Sequence, residues 1–173
     1  MKILETERLI LRLQTTEDAL FILELVNDPS WIQFIGDRGV KTVEEAASYI
    51  ENGAIRMYEQ FGFCLYVVEI KENQTPIGIC GFVKRETLED VDIGFAFLPD
   101  YWGKGYAYEA ASAVLAYGLV TLGFNRIVAI TTQENYASAK LLERICLQFE
   151  RVIQFSNDSE ELRLFSLNCE KSK

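Results

Sequence analysis

The run Phe95-Ala96-Phe97-Leu98-Pro99-Asp100-Tyr101-Trp102-Gly103-Lys104-Gly105-Tyr106-Ala107 reads as a strand, a glycine turn and the start of a helix. Pro99 stops the strand, because it has no N–H to give to a ladder. Gly103 and Gly105 allow backbone angles that a Cβ forbids, and they let a ligand approach the main chain. The first N–H groups of the following helix have no partner inside it. They point into the turn with the positive end of the helix dipole, a ready site for phosphate. Lys104 adds a formal positive charge. The same residues also fit a tight strand-to-helix turn that binds nothing.

Outward from this run, Val91 to Leu98 is a strand preceded by two others, Phe63 to Ile70 and Pro76 to Lys84. Glu72-Asn73-Gln74-Thr75 and the segment Glu86 to Asp90 are the turns between them. Short spacing predicts an antiparallel meander. A central helix runs from about Gly105 to Leu122, with Ala107, Ala110, Ala111, Val114, Leu115, Gly118 and Leu122 on one face. Gly123 ends it. Arg126 to Thr132 is a β-branched strand, expected parallel to Val91–Leu98 across the helical crossover. A helix from about Tyr136 to Cys146 follows. Strands near Phe149–Phe155 and Leu162–Asn168 close the chain around the polar turn Ser156-Asn157-Asp158-Ser159.

Toward the N-terminus, Arg8 to Leu13 is a short strand, with Arg8 and Arg12 read as solvated or, alternatively, as substrate contacts. Thr16 caps a helix through Val26 that ends before Asn27-Asp28-Pro29. Trp31 to Val40 is irregular, its aromatic residues packing in the core or lining a pocket. Thr42-Val43-Glu44-Glu45 is a capping box opening a helix through Ile55. The expectation is one mixed α/β domain over residues 1–173, with about seven strands and four helices.

The 173 residues are 49% hydrophobic and carry a net charge of −9. That balance argues against general binding to nucleic acid or anionic lipid and suits a cationic partner. No apolar run approaches the ~20 residues that span a bilayer. The N-terminus lacks a signal peptide's apolar core, and four cysteines without a Cys-x-x-Cys pair read as reduced thiols, so a cytoplasmic protein is expected. Histidine is absent. Ser-His-Asp and Cys-His catalysis and histidine-based zinc sites are thereby excluded, and any base is Asp, Glu, a tyrosinate or a water they hold. No metal is expected.

Trp102-Gly103-Lys104-Gly105-Tyr106-Ala107 resembles the Gln/Arg-x-x-Gly-x-Gly/Ala motif of the GNAT superfamily of acetyl-CoA-dependent N-acetyltransferases, with Trp102 in place of Gln or Arg. Asn135-Tyr136-Ala137-Ser138 and Leu141-Leu142-Glu143-Arg144 resemble its second motif. Thr6-Glu7-Arg8-Leu9-Ile10-Leu11-Arg12 and Gly105-Tyr106-Ala107-Tyr108-Glu109-Ala110 resemble the branch of ribosomal-protein N-terminal (Rim-type) acetyltransferases. The resemblance spans nearly the whole chain. It implies a mostly antiparallel sheet splayed between the fourth and fifth strands. The pyrophosphate of acetyl-CoA would rest on N–H groups from Gly103 to Ala107, beside Trp102. The pantetheine arm would lie along Phe97 and Leu98, either of whose N–H groups would serve the oxyanion, and would meet Asn135. Asn135 also reads as a helix cap. Ser138 is the candidate to protonate the thiolate, and equally a surface serine.

Asp92 stands where many members carry a glutamate base, though it also reads as a solvated edge carboxylate. Glu109 reads as a partner of the helix dipole. Two departures stand out: Cys146-Leu147 replaces Gly-Phe, and Leu142 replaces a tyrosine that often acts as the acid. The implied acceptor is a protein N-terminus or small-molecule amine, and the chain a monomer or homodimer. Two alternatives are a non-catalytic acyl-CoA-binding module and a dinucleotide binder. A Rossmann glycine motif would need glycine at Tyr108, which disfavours the second.

Overall fold

The computed structural model describes residues 1–157 and 159–169. Eight strands form one sheet: β1 (Lys2–Glu5), β2 (Leu9–Arg12), β3 (Leu65–Ile70), β4 (Pro76–Val83), β5 (Val91–Phe97), β6 (Arg126–Thr132), β7 (Gln148–Ile153) and β8 (Leu162–Asn168). Their order is β1-β2-β3-β4-β5-β6-β8-β7. Every neighbouring pair is antiparallel except β5 with β6. The meander and the parallel crossover are as expected. The added strand is Lys2–Glu5, so the splay expected between the fourth and fifth strands falls between β5 and β6.

The helical segments are α1 (Ala19–Val26), α2 (Pro29–Phe34), α3 (Val43–Ile50), α4 (Arg56–Phe61), α5 (Tyr106–Val120) and α6 (Tyr136–Arg144). Thr15 rather than Thr16 opens the first helical run, and the Asp18 carboxylate accepts its N–H at 2.8 Å. The stretch expected to be irregular begins with a helix. Asp28 caps it by accepting the Ser30 N–H at 2.9 Å, and Pro29 sits in its first turn. A proline that stops one helix is equally suited to begin the next. The helix expected to end at Ile55 continues through a π turn, Glu51–Ile55, into α4. Gly62 closes it at φ +80°. Asp158 of the expected polar turn lies outside the described residues.

Alternation along the strands divides the core in two. Val91, Ile93, Phe95 and Phe97 face the α5–α6 layer, and Ala96 and Leu98 face α1 and α3. On the α5 side Phe63, Phe82 and Phe124 meet edge to face, with ring centroids 5.2–6.2 Å apart. Gly118 lets α5 lie against Phe82, since a Cβ there would run into that ring.

Candidate functional site

β5 and β6 pair only at Val91↔Ile127 and Asp92↔Val128. Beyond that point both strands keep their outer partners: β4 follows β5 to Phe97, and β8 follows β6 to Thr132. The strands therefore part while each stays anchored on its far side. Leu98 donates its N–H to Ile77 O on β4 at 2.9 Å. Antiparallel pairs alternate in the direction of their polar groups, so the N–H and C=O of Phe95 and Phe97 point away from β4, into the gap. The Leu98 N–H, one of the two expected to serve the oxyanion, is thus engaged with β4, whereas that of Phe97 faces the gap. Trp102 reaches back across the turn and donates its indole Nε1–H to Phe97 O at 2.8 Å. The Phe97 carbonyl is thus held, and among the described residues its N–H has no acceptor.

At the upper end of this gap lies the glycine turn. Gly103 and Gly105 both adopt left-handed backbone angles, φ +74° and +83°. Gly105 precedes the first turn of α5 as its N-terminal flank and has no side chain to cap it. Among the described residues, no N–H from Gly103 to Tyr108 has an acceptor. Glu109 is the first to donate, to Gly105 O at 3.0 Å. A row of unpaired amides at a helix N-terminus is an anion-binding surface.

The opening motif of the chain is brought to the back of this turn. Arg8 donates from Nε to Glu109 Oε2 at 2.7 Å and from Nη1 to Lys104 O at 2.9 Å. Its guanidinium stacks on Tyr106, 4.4 Å from the ring centroid. The Arg8 N–H and the Thr6 hydroxyl both donate to Glu109 Oε1, at 2.8 and 2.7 Å. Burial alone would raise the Glu109 carboxyl. The hydrogen bonds from Thr6 and Arg8 outweigh it and hold the group below its ordinary value. By sequence Arg8 reads as a solvated strand residue or a substrate contact, and Glu109 as a dipole partner. Both sit in motifs that carry a family resemblance, but nothing in the linear order joins positions 101 residues apart.

Asp92 sits where β5 and β6 begin to separate. It is 2% exposed and pairs with Arg85 Nε at 2.6 Å. Burial pushes its carboxyl up, against the pull of Arg85. Arg85 leaves a hairpin loop organised by Lys84, whose ammonium donates to the carbonyls of Arg85, Leu88 and Glu89. Asp92 is buried and charge-paired, not a solvated edge carboxylate. It stands three residues before Phe95 and five before Phe97, about 10 and 17 Å at the strand rise, too far for direct contact with a group held there.

On the β6 side, Asn135 caps α6 by accepting the Ser138 N–H at 3.2 Å. The cap uses Oδ1 and leaves Nδ2 without a partner among the described residues. Ser138 is half-buried one turn into α6. Leu142, where an acid tyrosine is often found, is 1% exposed and packed in the core. A separate hollow of about 320 Å³ is lined by Asp90, Arg126 and Arg151 among others. Its Arg126 is already bonded to Asp90, Glu150 and Asn168. Among the described residues no helix is long and apolar enough to cross a membrane.

A family model described as an acetyltransferase (GNAT) domain matches residues 8–148. The uncharacterized N-acetyltransferase YoaA of Bacillus subtilis (strain 168) is 33% identical over 153 residues, covering 88% of this chain and 86% of that protein. The crystal structure of a GNAT-family acetyltransferase from Bacillus anthracis superposes with a TM-score of 0.79 at 25% identity, over 97% of this chain and 98% of that one. RimL, a ribosomal L7/L12 alpha-N-protein acetyltransferase in complex with coenzyme A, gives a TM-score of 0.82 at 17% identity over 98% of each chain, a likeness of fold alone.

Proposed function

The chain belongs to the GNAT acetyltransferase family and is an acyltransferase; from that premise we propose that it transfers the acetyl group of acetyl-CoA directly to a primary amine. The observation that carries this reading is the row of amides from Gly103 to Tyr108, free of acceptors among the described residues where β5 and β6 part. Amides of Gly103 to Ala107 hold the pyrophosphate, Lys104 adds charge, and Trp102 fixes the lip of the gap. The Phe97 N–H, with that of Phe95, faces the pantetheine arm and the thioester oxygen, where a positioned donor is worth about 3 kcal/mol in the transition state. Asn135 Nδ2 donates to the arm while Oδ1 keeps the cap.

In the transfer, the amine nitrogen attacks the thioester carbonyl, the C–N bond forms and the C–S bond breaks. The amine loses a proton and the thiolate gains one. Asp92, acting through a chain of waters, takes the first, and the Ser138 hydroxyl relays the second, passing its proton to the thiolate as it takes one from solvent. The acceptor must arrive neutral. At pH 7 that costs about 1.4 kcal/mol for an α-amino group of pKa ~8 and about 4.6 kcal/mol for a lysine-like amine of pKa ~10.4. A base that works only through water suits the first better, and the Rim-like phrases favour a protein N-terminus over a small amine. One catalytic domain over residues 1–173, in the cytoplasm and without a metal, completes the reading.

The test is an acceptor screen with acetyl-CoA that follows release of free thiol. Turnover should fall at least about tenfold in Asp92→Asn, as expected for loss of a general base. It should fall less in Ser138→Ala. A wild-type chain that releases no thiol with any amine, and does not bind coenzyme A, refutes the reading.

A further inference from the structure

We infer that Arg8 is a positioning residue for the phosphate-binding turn, acting with Thr6 and Glu109 as a clamp that aims the Gly105 amide. The inference rests on the acetyl-CoA reading above and extends it to residues outside the glycine motif. Lys104 C=O and Gly105 N–H belong to the same planar trans unit and point in opposite directions. Arg8 Nη1 holds that carbonyl at 2.9 Å from behind. Fixing the carbonyl fixes the N–H, which then points to the opposite side of the turn.

A glycine at Gly105 is otherwise free to rotate, since it lacks the Cβ that restricts other residues. The clamp removes that freedom before any ligand arrives. Arg8 in turn is held on three sides. Glu109 Oε2 accepts its Nε at 2.7 Å, Glu109 Oε1 accepts its main-chain N–H at 2.8 Å, and the Tyr106 ring lies 4.4 Å from its guanidinium carbon. Thr6 donates to the same carboxylate at 2.7 Å. The fit behind the turn is close: a Cβ on Gly105 would sit 3.2 Å from Arg8 Nη2. A planar fork is needed to reach the carbonyl and the carboxylate at once. A lysine ammonium matches the charge but not that geometry.

The experiment measures coenzyme A and pantetheine affinities, by calorimetry and NMR titration, for the wild type, Arg8→Ala, Arg8→Lys, Glu109→Gln and the Arg8→Ala/Glu109→Gln double variant. Thermal melts accompany each. Loss of a charge-assisted positioning bond should weaken coenzyme A binding about 30-fold in Arg8→Ala. Arg8→Lys should not rescue it, and the double variant should be no weaker than Arg8→Ala. Pantetheine has no pyrophosphate and should bind all five alike. Rescue by Arg8→Lys would overturn the clamp in favour of charge alone. An equal loss for pantetheine would reduce Arg8 to a support of the fold. If Arg8→Ala does not fold, Arg8→Lys and Glu109→Gln decide by the same criteria. Wild-type coenzyme A binding that persists unchanged in every variant removes the clamp and leaves the acetyl-CoA reading standing. A wild type that binds no coenzyme A removes both.

Discussion

At the scale of single residues, Arg12 and Lys2 distinguish ion pairs that matter from ion pairs that do not. Arg12 bridges β2, the first helical turn and β3, donating to Asp18 Oδ1 and Oδ2 at 2.8 and 3.0 Å and to Glu69 Oε2 at 3.0 Å. Asp18 and Glu69 are 7% and 8% exposed. Removing Arg12 leaves two buried carboxylates without their partner, so Arg12→Met should lower unfolding free energy by about 3 kcal/mol in urea titrations. Lys2, paired with Glu5 in solvent, should show no measurable loss on substitution. Asp92 offers a kinetic counterpart. Burial raises its carboxyl above the ordinary value of 3.8 and Arg85 pulls it back. Removing the arginine charge removes the opposing pull. With a weakly basic aniline acceptor, the acid limb of kcat/KM should therefore move to higher pH in Arg85→Met. A limb that stays in place would show that Asp92 is not the base.

At the scale of elements, the placement of α5 depends on glycines for two different reasons. Gly118 lies mid-helix, where alanine is intrinsically better by about 1 kcal/mol. Its Cβ, however, would meet the ring of Phe82, which is fully buried. Overpacking of that kind costs about 1–3 kcal/mol. Gly118→Ala should therefore lower the melting temperature despite its propensity, and the loss should shrink when combined with Phe82→Leu. At the other end, Gly103 and Gly105 share positive φ, but only Gly105 has a neighbour in the way. Alanine at either place carries the left-handed penalty of about 1–2 kcal/mol. Gly105→Ala also pushes on Arg8, so it should weaken coenzyme A binding more than Gly103→Ala in the same titration.

At the scale of the whole molecule, what was legible in the sequence was what short-range chemistry dictates. The strand–glycine–helix run, the meander, the parallel crossover and the Asn135 cap all follow from residues close in sequence. The splay followed from the resemblance, not from β-propensity, because separation of β5 from β6 depends on the outer partners β4 and β8. Lys2–Glu5 was missed because so short an edge strand has no alternation to read, and it exists by pairing with β2. The helix at Pro29 was missed because a breaker was read in one direction only. The clamp at Thr6, Arg8 and Glu109 was hidden because it joins the chain's start to its centre.

That long-range tie gives the fold a specific acid sensitivity. The Glu109 carboxyl is held below its ordinary 4.5 in the folded chain, against burial, by Thr6 and Arg8. In that situation the unfolded chain binds the proton more readily. The contribution to stability is complete above the ordinary carboxyl value and is lost as pH falls through the lower folded one. Glu109→Gln removes the titrating group. Plotted against pH, the stability difference between wild type and Glu109→Gln should be constant above pH ~5 and should narrow below pH ~4. Carboxylates elsewhere titrate in both proteins and cancel from the difference. A difference independent of pH across that range would mean that the Glu109 charge takes no part in holding the N-terminal strand to α5.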